Sequence, residues 1–313
     1  MVYAAVLFII GIIILLASAD LFVKHASDLS KSLKISPLVI GTTIVAMGTS
    51  LPELIVSTLA VSRGDQGLAF GNIIGSNIVN ILLILPAGIL FGNLRIGTTK
   101  TQRNMIILLL ASCAFFVIGK IFPYPFTGLF LIASAILFTI KEFLWGVEGR
   151  THEDKKQFTH GKTAIDGKTI LLFILSITGV IAGGIMTIIG VEQISRLTGY
   201  STAVLGLTIA AIGTSLPELF TTLFSEEEHE EKLAIGNILG SNIYNVLLIG
   251  GIISLFPGTS YMKPAEWMLF FLSAGVLASI IYYYRGKVIP KKIGILLLAG
   301  FIFYILYLQK SSL

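Results

Sequence analysis

GTSLPEL occupies Gly48–Leu54 and returns, letter for letter, at Gly213–Leu219. Each copy lies near the middle of a long apolar run, where a proline beside a glutamate breaks the pattern of a plain hydrophobic helix. The two copies are 165 residues apart, and that offset holds well beyond the motif. Gly41–Ala60 and Gly206–Ser225 share 11 of 20 residues, and Ala69–Ile84 and Ala234–Ile249 share 12 of 16. Register kept across an intervening loop identifies an internal duplication rather than two chance matches.

The composition says where such a chain resides. Only 12% of its residues are charged and 55% are hydrophobic, whereas soluble domains carry about 25% charged residues. Apolar stretches of about 20 residues are long enough to cross a bilayer as helices. About ten are predicted, over 3–22, 35–61, 68–91, 104–120, 124–144, 169–190, 201–225, 233–256, 265–284 and 290–308. The expectation is an all-α polytopic membrane protein whose first five-helix repeat is 1–144, joined by a cytoplasmic linker loop, 145–168, to a second repeat, 169–313. Of the 22 Lys and Arg residues, 17 fall on one side of the alternating loops and 5 on the other. Basic loops stay inside, so both termini are predicted extracellular and the central loop cytoplasmic, in a cell membrane. An excess of positive charge used this way says nothing for nucleic acid, and no obligate protein partner is evident.

Five spans per copy is an odd number, so the second copy enters the membrane in the opposite sense. Inverted repeats of this kind place a substrate site near the midplane, where the halves meet. The GTSLPEL copies are predicted at that depth. Pro52 and Pro217 lack an N–H and crowd the carbonyl four residues back, so each span is expected to open there, with carbonyls around Ala46 and Ala211 losing partners. A glutamate at a helix centre costs about 2.5–3.5 kcal/mol on the insertion scale, so Glu53 and Glu218 are expected to be used. On helical spacing Ala46, Thr49, Ser50 and Glu53 share a face, as do Ala211, Thr214, Ser215 and Glu218. Asn72, Ser76 and Asn80 line up in the third span, and Asn237, Ser241 and Asn245 in the eighth.

All these groups are oxygen donors, and all four His and every Arg fall in predicted loops. An anionic substrate would want a cation there. A hard cation fits, and soft metals are disfavoured without a Cys or His cluster. Hydrolysis requires a nucleophile–base pair, and the membrane interior offers Ser and Thr with Glu but no His or Lys, so an enzyme is not expected, nor a cofactor. Gly71-x-x-x-Gly75 and Gly236-x-x-x-Gly240 read equally as helix-packing motifs, Asn72 and Asn237 more as interhelical bonds than as ligands, and Cys113 as a packing residue. Glu226–Glu231 reads as a solvated loop.

The paired GTSLPE and GNIxGSNIxN segments resemble the two α-repeats of the cation/Ca²⁺ exchanger superfamily, in its sodium/calcium exchanger branch and prokaryotic form. The resemblance implies alternating access and exchange of three Na⁺ for one Ca²⁺. By motif position it makes Glu53, Glu218, Thr49 and Thr214 Ca²⁺ ligands. Ser50, Ser76, Ser215 and Ser241, with the Ala46 and Ala211 carbonyls, would be flanking Na⁺ ligands, and Asn80 and Asn245 the central polar pair. Some relatives carry an acid in that pair, and Asn at both places argues against K⁺ dependence. The proton-coupled branch reads GNxxE where this chain reads GTSLPE, leaving Ca²⁺/H⁺ antiport the second choice. Two carboxylates sum to −2, which one Ca²⁺ cancels, so a 3:1 exchange would move net charge.

Overall fold

The computed structural model describes residues 1–32, 46–92, 94–96, 99–122, 125–148, 167–227, 231–257 and 262–311. Among them nine helices are long and apolar enough to cross a membrane. The start of the second predicted span lies outside the described residues. Its described part is two short pieces, Ala46–Thr49 and Leu51–Ser62, here α2a and α2b. The first helix, α1, is Val2–Ser32, and α6 is Gly167–Thr198. Between them run α3 (Gln66–Val79, a π turn Asn80–Ile84, then Leu85–Phe91), α4 (Thr99–Ile121) and α5 (Phe126–Glu148). The second half continues with α7a, built from Thr202–Leu205, a π turn Gly206–Ala210 and Ala211–Thr214, and with α7b (Leu216–Glu227). It closes with α8 (Glu231–Tyr244, a π turn Asn245–Ile249, then Gly250–Ile253), α9 (Pro264–Tyr283) and α10 (Lys291–Ser311).

Inversion of the halves is visible in one seam. Helices α1 and α6 are equivalent at the 165-residue offset, and they pack closely against each other. A Cβ on Gly190 would meet Phe8, one on Gly11 would meet Thr187, and those on Gly183 and Gly179 would meet Leu15 and Ser18. Position rises on α1 as it falls on α6, so equivalent helices run antiparallel. Gly11 and Gly183 sit so close to the opposite backbone that a Cβ would come within 2.6 Å and 2.5 Å of it, the small-residue packing that lets membrane helices approach.

Helices α3 and α8 form the centre, each with 83% of its apolar window buried, against 22% for α10. The halves interleave around them: α4 and α5 pack on α8, whereas α9 and α10 pack on α3. Phe115 and Phe116 of α4 meet Trp267 of α9 at ring separations of 5.5 Å and 4.9 Å, closing the aromatic side of this arrangement.

Contacts between loops sort them onto two faces. Gly64, at φ +82°, ends α2b in the left-handed turn that glycine adopts without strain. Asp65 then caps α3 by accepting from Leu68 N–H and also accepts from Thr202 Oγ1 at 2.9 Å. Gln66 donates to the Pro257 carbonyl at 2.6 Å. On the other face the Leu94–Ile96 segment pairs through its backbone with the α9–α10 turn, Ile96 N–H donating to Lys287 and Ile289 N–H to Leu94. Joints after the second, sixth and eighth spans thus share one face and those after the third and ninth the other, as ten alternating spans require.

Several predicted boundaries fall short. Helices α1 and α6 are 31 and 32 residues long, far more than the ~20 that a bilayer needs. They take in His25 and Arg196, and α4 takes in Arg103, all expected in loops. Cys113, expected to pack, is exposed on α4. Of the Glu226–Glu231 run, residues 228–230 lie outside the described residues, as do residues 149–166 of the central loop.

Candidate cation-binding site

Both GTSLPEL segments break their helix at one residue. Ser50 and Ser215 have φ −84° with ψ 8° and 10°, and the helix resumes as Leu54 N–H and Leu219 N–H bond the Ser50 and Ser215 carbonyls. A proline two residues after the break cannot donate, which is why the ladder stops there. The opening is narrower than expected at Ala211. Its carbonyl keeps the bond from Ser215 N–H at 3.1 Å and also accepts from Thr214 Oγ1 at 3.4 Å. Ala46 opens α2a.

The break turns each serine across the midline. Ser215 Oγ donates to Glu53 Oε1 at 2.8 Å, and Ser50 Oγ donates to Glu218 Oε1 at 3.2 Å. Equivalent residues thus exchange equivalent bonds between halves. Ser76 Oγ adds a bond to Glu53 Oε1 at 3.4 Å. Thr49 Oγ1 donates to Asn237 Oδ1 and lies 3.3 Å from Ser241 Oγ, and Thr214 Oγ1 lies 3.3 Å from Asn72 Oδ1 and 3.0 Å from the Ala210 carbonyl. Asn72 and Asn237 therefore act as interhelical bonds, in line with the sequence reading.

Both carboxylates are fully buried. Among the described residues the ion pairs include Arg63–Glu192, Lys100–Glu142 and Arg103–Glu142, and no basic group pairs with either acid. Among the described residues Glu53 Oε2 and Glu218 Oε2 have no hydrogen-bond partner, and neither does any amide atom of buried Asn80 and Asn245. Six polar atoms without partners in a well-packed centre are the signature of a site built for something other than protein. Oxygen lone pairs with uncompensated negative charge suit a dehydrated hard cation.

Asn80 and Asn245 each open a π turn. The Asn80 carbonyl accepts from Leu85 N–H and the Asn245 carbonyl from Gly250 N–H, five residues on. Pro86 follows the first turn but Gly251 occupies its place in the second, so proline does not cause the bulge. Bulges of this kind are frequent at functional sites. Gly71 and Gly75 are packing residues after all. A Cβ on either would meet Ala203, Gly206 or Leu207 of α7a at 2.5–3.2 Å.

Sequence reasoning missed Ser57 and Thr222, one turn after each glutamate. Both are fully buried, and Ser57 Oγ accepts from Asn72 Nδ2 at 3.1 Å. Their shared hydroxyl at the 165-residue offset was the available signal. Asn77 and Asn242 were missed too; each bonds its own helix, to the Ile73 and Ile238 carbonyls.

A family model described as sodium/calcium exchanger protein matches residues 3–141 and 168–310. The chain is 32% identical over 331 residues to the inner membrane protein YrbG of Escherichia coli (strain K12), covering 100% of this chain and 98% of that one. It is 29% identical over 343 residues to the sodium/calcium exchanger MaX1 of Methanosarcina acetivorans, covering 96% of each. Its fold is similar to that of the sodium-calcium exchanger NCX_Mj soaked with zero Na⁺ and Ca²⁺. There the TM-score is 0.65 at 29% identity, over 97% of this chain and 99% of that one.

Proposed function

This chain belongs to the sodium/calcium exchanger family, matched over both halves, and from that premise we propose that it exchanges Na⁺ for Ca²⁺ by alternating access, moving net charge. One observation carries the reading. Two fully buried carboxylates from opposite halves are tied together by reciprocal seryl bonds, and each keeps an oxygen without a partner. Their joint charge of −2 is cancelled by one Ca²⁺ and overbalanced by three Na⁺ in its stead, so the two cargoes compete for one pocket and a full cycle moves charge.

In this reading Glu53, Glu218, Thr49 and Thr214 surround Ca²⁺. Ser50, Ser76, Ser215 and Ser241, with the Ala46 and Ala211 carbonyls, serve flanking Na⁺, and Asn80 and Asn245 stand between. The repeats are 1–144 and 169–313, with 145–168 as a cytoplasmic linker and both termini outside a cell membrane.

The test is ⁴⁵Ca²⁺ uptake into Na⁺-loaded proteoliposomes diluted into choline buffer. Uptake that needs internal Na⁺ supports the reading. Uptake driven by a pH gradient without sodium replaces it with Ca²⁺/H⁺ antiport, and uptake that follows the Ca²⁺ gradient alone replaces it with a passive pore.

A further inference from the structure

The two halves are not hydrogen-bonded alike, and one of the differences lies in a pair of equivalent, fully matched positions. Asn72 of α3 is fully buried and fully engaged. Its Oδ1 faces Thr214 Oγ1 at 3.3 Å, and its Nδ2 donates to Ser57 Oγ of α2b at 3.1 Å and lies 3.5 Å from the Glu53 carbonyl. Asn237 of α8 is its equivalent. Its Oδ1 accepts from Thr49 as symmetry demands, but among the described residues its Nδ2 has no partner, and neither has the Thr222 hydroxyl of α7b. Thr222 stands where Ser57 stands in the first half. The residues that could form the second bond are therefore present, buried and unsatisfied, while those of the first have formed it.

Chemistry does not explain the difference, because Asn is common to both and Thr differs from Ser only by a methyl group. Conformation does. A carrier of inverted repeats passes between its two access states as one repeat moves against the other around a fixed site, and the inverted symmetry lets the two halves exchange conformations in doing so. A contact closed in one half and open in the other is then reversed by the exchange. Resting on the exchange reading above, we propose that Ser57–Asn72 and Thr222–Asn237 are a pair of alternately closing clips, one holding α2b to α3 and the other α7b to α8. Each asparagine also bonds a threonine expected to face the ion, so the clip links the access state to the orientation of Thr214 or Thr49. These are positioning residues, and the balance between the two clips sets the balance between the two states.

Hydrogen–deuterium exchange on the whole protein in lipid nanodiscs, without Na⁺ or Ca²⁺, tests this. Ser57→Ala is expected to raise exchange of Leu51–Ser62 at least twofold and to lower that of Leu216–Glu227, because the population moves to the state in which the second clip is closed. Thr222→Val is expected to do the opposite, and Thr222→Ser, which keeps the hydroxyl, to match the wild type. Each substitution is a test by itself. A variant that loosens only its own half, or leaves both unchanged, overturns the proposal, because a merely structural hydroxyl has no means of tightening the other half. If Na⁺-driven uptake fails in the wild-type protein, the exchange reading falls. If uptake holds and the cross-half response is absent, the clips alone fall.

Discussion

Ser215 donates a 2.8 Å hydrogen bond to Glu53 across 162 residues of sequence, so this acid is held by the half to which it does not belong. Glu218 is held in the same way by Ser50. A site assembled by exchange cannot exist in either half alone, and its chemistry answers to changes on both sides.

Replacing either acid separates stability from transport. Glu53→Gln and Glu218→Gln each remove one unit of the −2 charge that balances Ca²⁺. Each also removes an unpaired buried carboxylate costing about 2.5–3.5 kcal/mol on the insertion scale. The expected outcome is at least a hundredfold fall in Na⁺-driven ⁴⁵Ca²⁺ uptake, with an unfolding temperature in ion-free detergent equal to or above that of the wild type. A variant that transports normally refutes the assignment.

Losing the seryl bond is expected to weaken the site without emptying it. Hydrogen bonds to charged groups contribute about 1.5–3 kcal/mol, and 1.4 kcal/mol is about tenfold in affinity. Ser215→Ala should raise the Ca²⁺ concentration giving half-maximal uptake at least tenfold. Ser76→Ala, whose bond to the same oxygen is 3.4 Å, should raise it less. An equal or reversed order would show that the cross-half bond does not position the acid.

Voltage gives a sign. Three Na⁺ leaving a vesicle for each Ca²⁺ entering export one positive charge, worth about 2.3 kcal/mol per 100 mV. An inside-positive potential, set with valinomycin and external K⁺, should accelerate uptake, and an inside-negative one should slow it. Uptake indifferent to the potential would indicate two Na⁺ per Ca²⁺.

Two glycines with opposite surroundings test the packing. A Cβ at Gly75 would lie 2.8 Å from Leu207 backbone atoms, whereas one at Gly275 of α9 meets nothing within 4 Å among the described residues. Gly75→Ala is expected to destabilise by about 1–3 kcal/mol, as overpacking does. Gly275→Ala should stabilise by up to about 1 kcal/mol through helix propensity. Thermal unfolding of the purified protein reads both, and a stabilising Gly75→Ala would contradict the close crossing of α3 and α7a.

What the sequence made legible was whatever repeats or costs energy locally. The offset of 165 residues, the odd number of spans per copy and the expense of Glu53 and Glu218 in lipid were enough to place both acids at a shared centre. Helical spacing put Ser50 and Glu53 on one face, but periodicity is blind to the helix across the way. It gave no hint that Ser50 serves Glu218 and Ser215 serves Glu53. Hydropathy ended α1 before His25 and α6 before Arg196 because it scores side chains, whereas a helix continues while its backbone bonds do. The π turns at Asn80 and Asn245 carry no residue pattern of their own.

The interleaving of the halves also constrains how the protein is made. Helix α3 brings Asn72, Ser76, Asn77 and Asn80 into the bilayer, all of them buried in the finished protein, under a cover that includes α7a, α9 and α10. The ribosome must add 200 residues between Phe91, the end of α3, and Lys291, the start of α10, which at about 5–20 residues per second takes roughly 10–40 s. Throughout that interval a polar helix waits in or beside the insertion machinery with its last cover still unmade. The centre of the first half is therefore completed only by helices of the second.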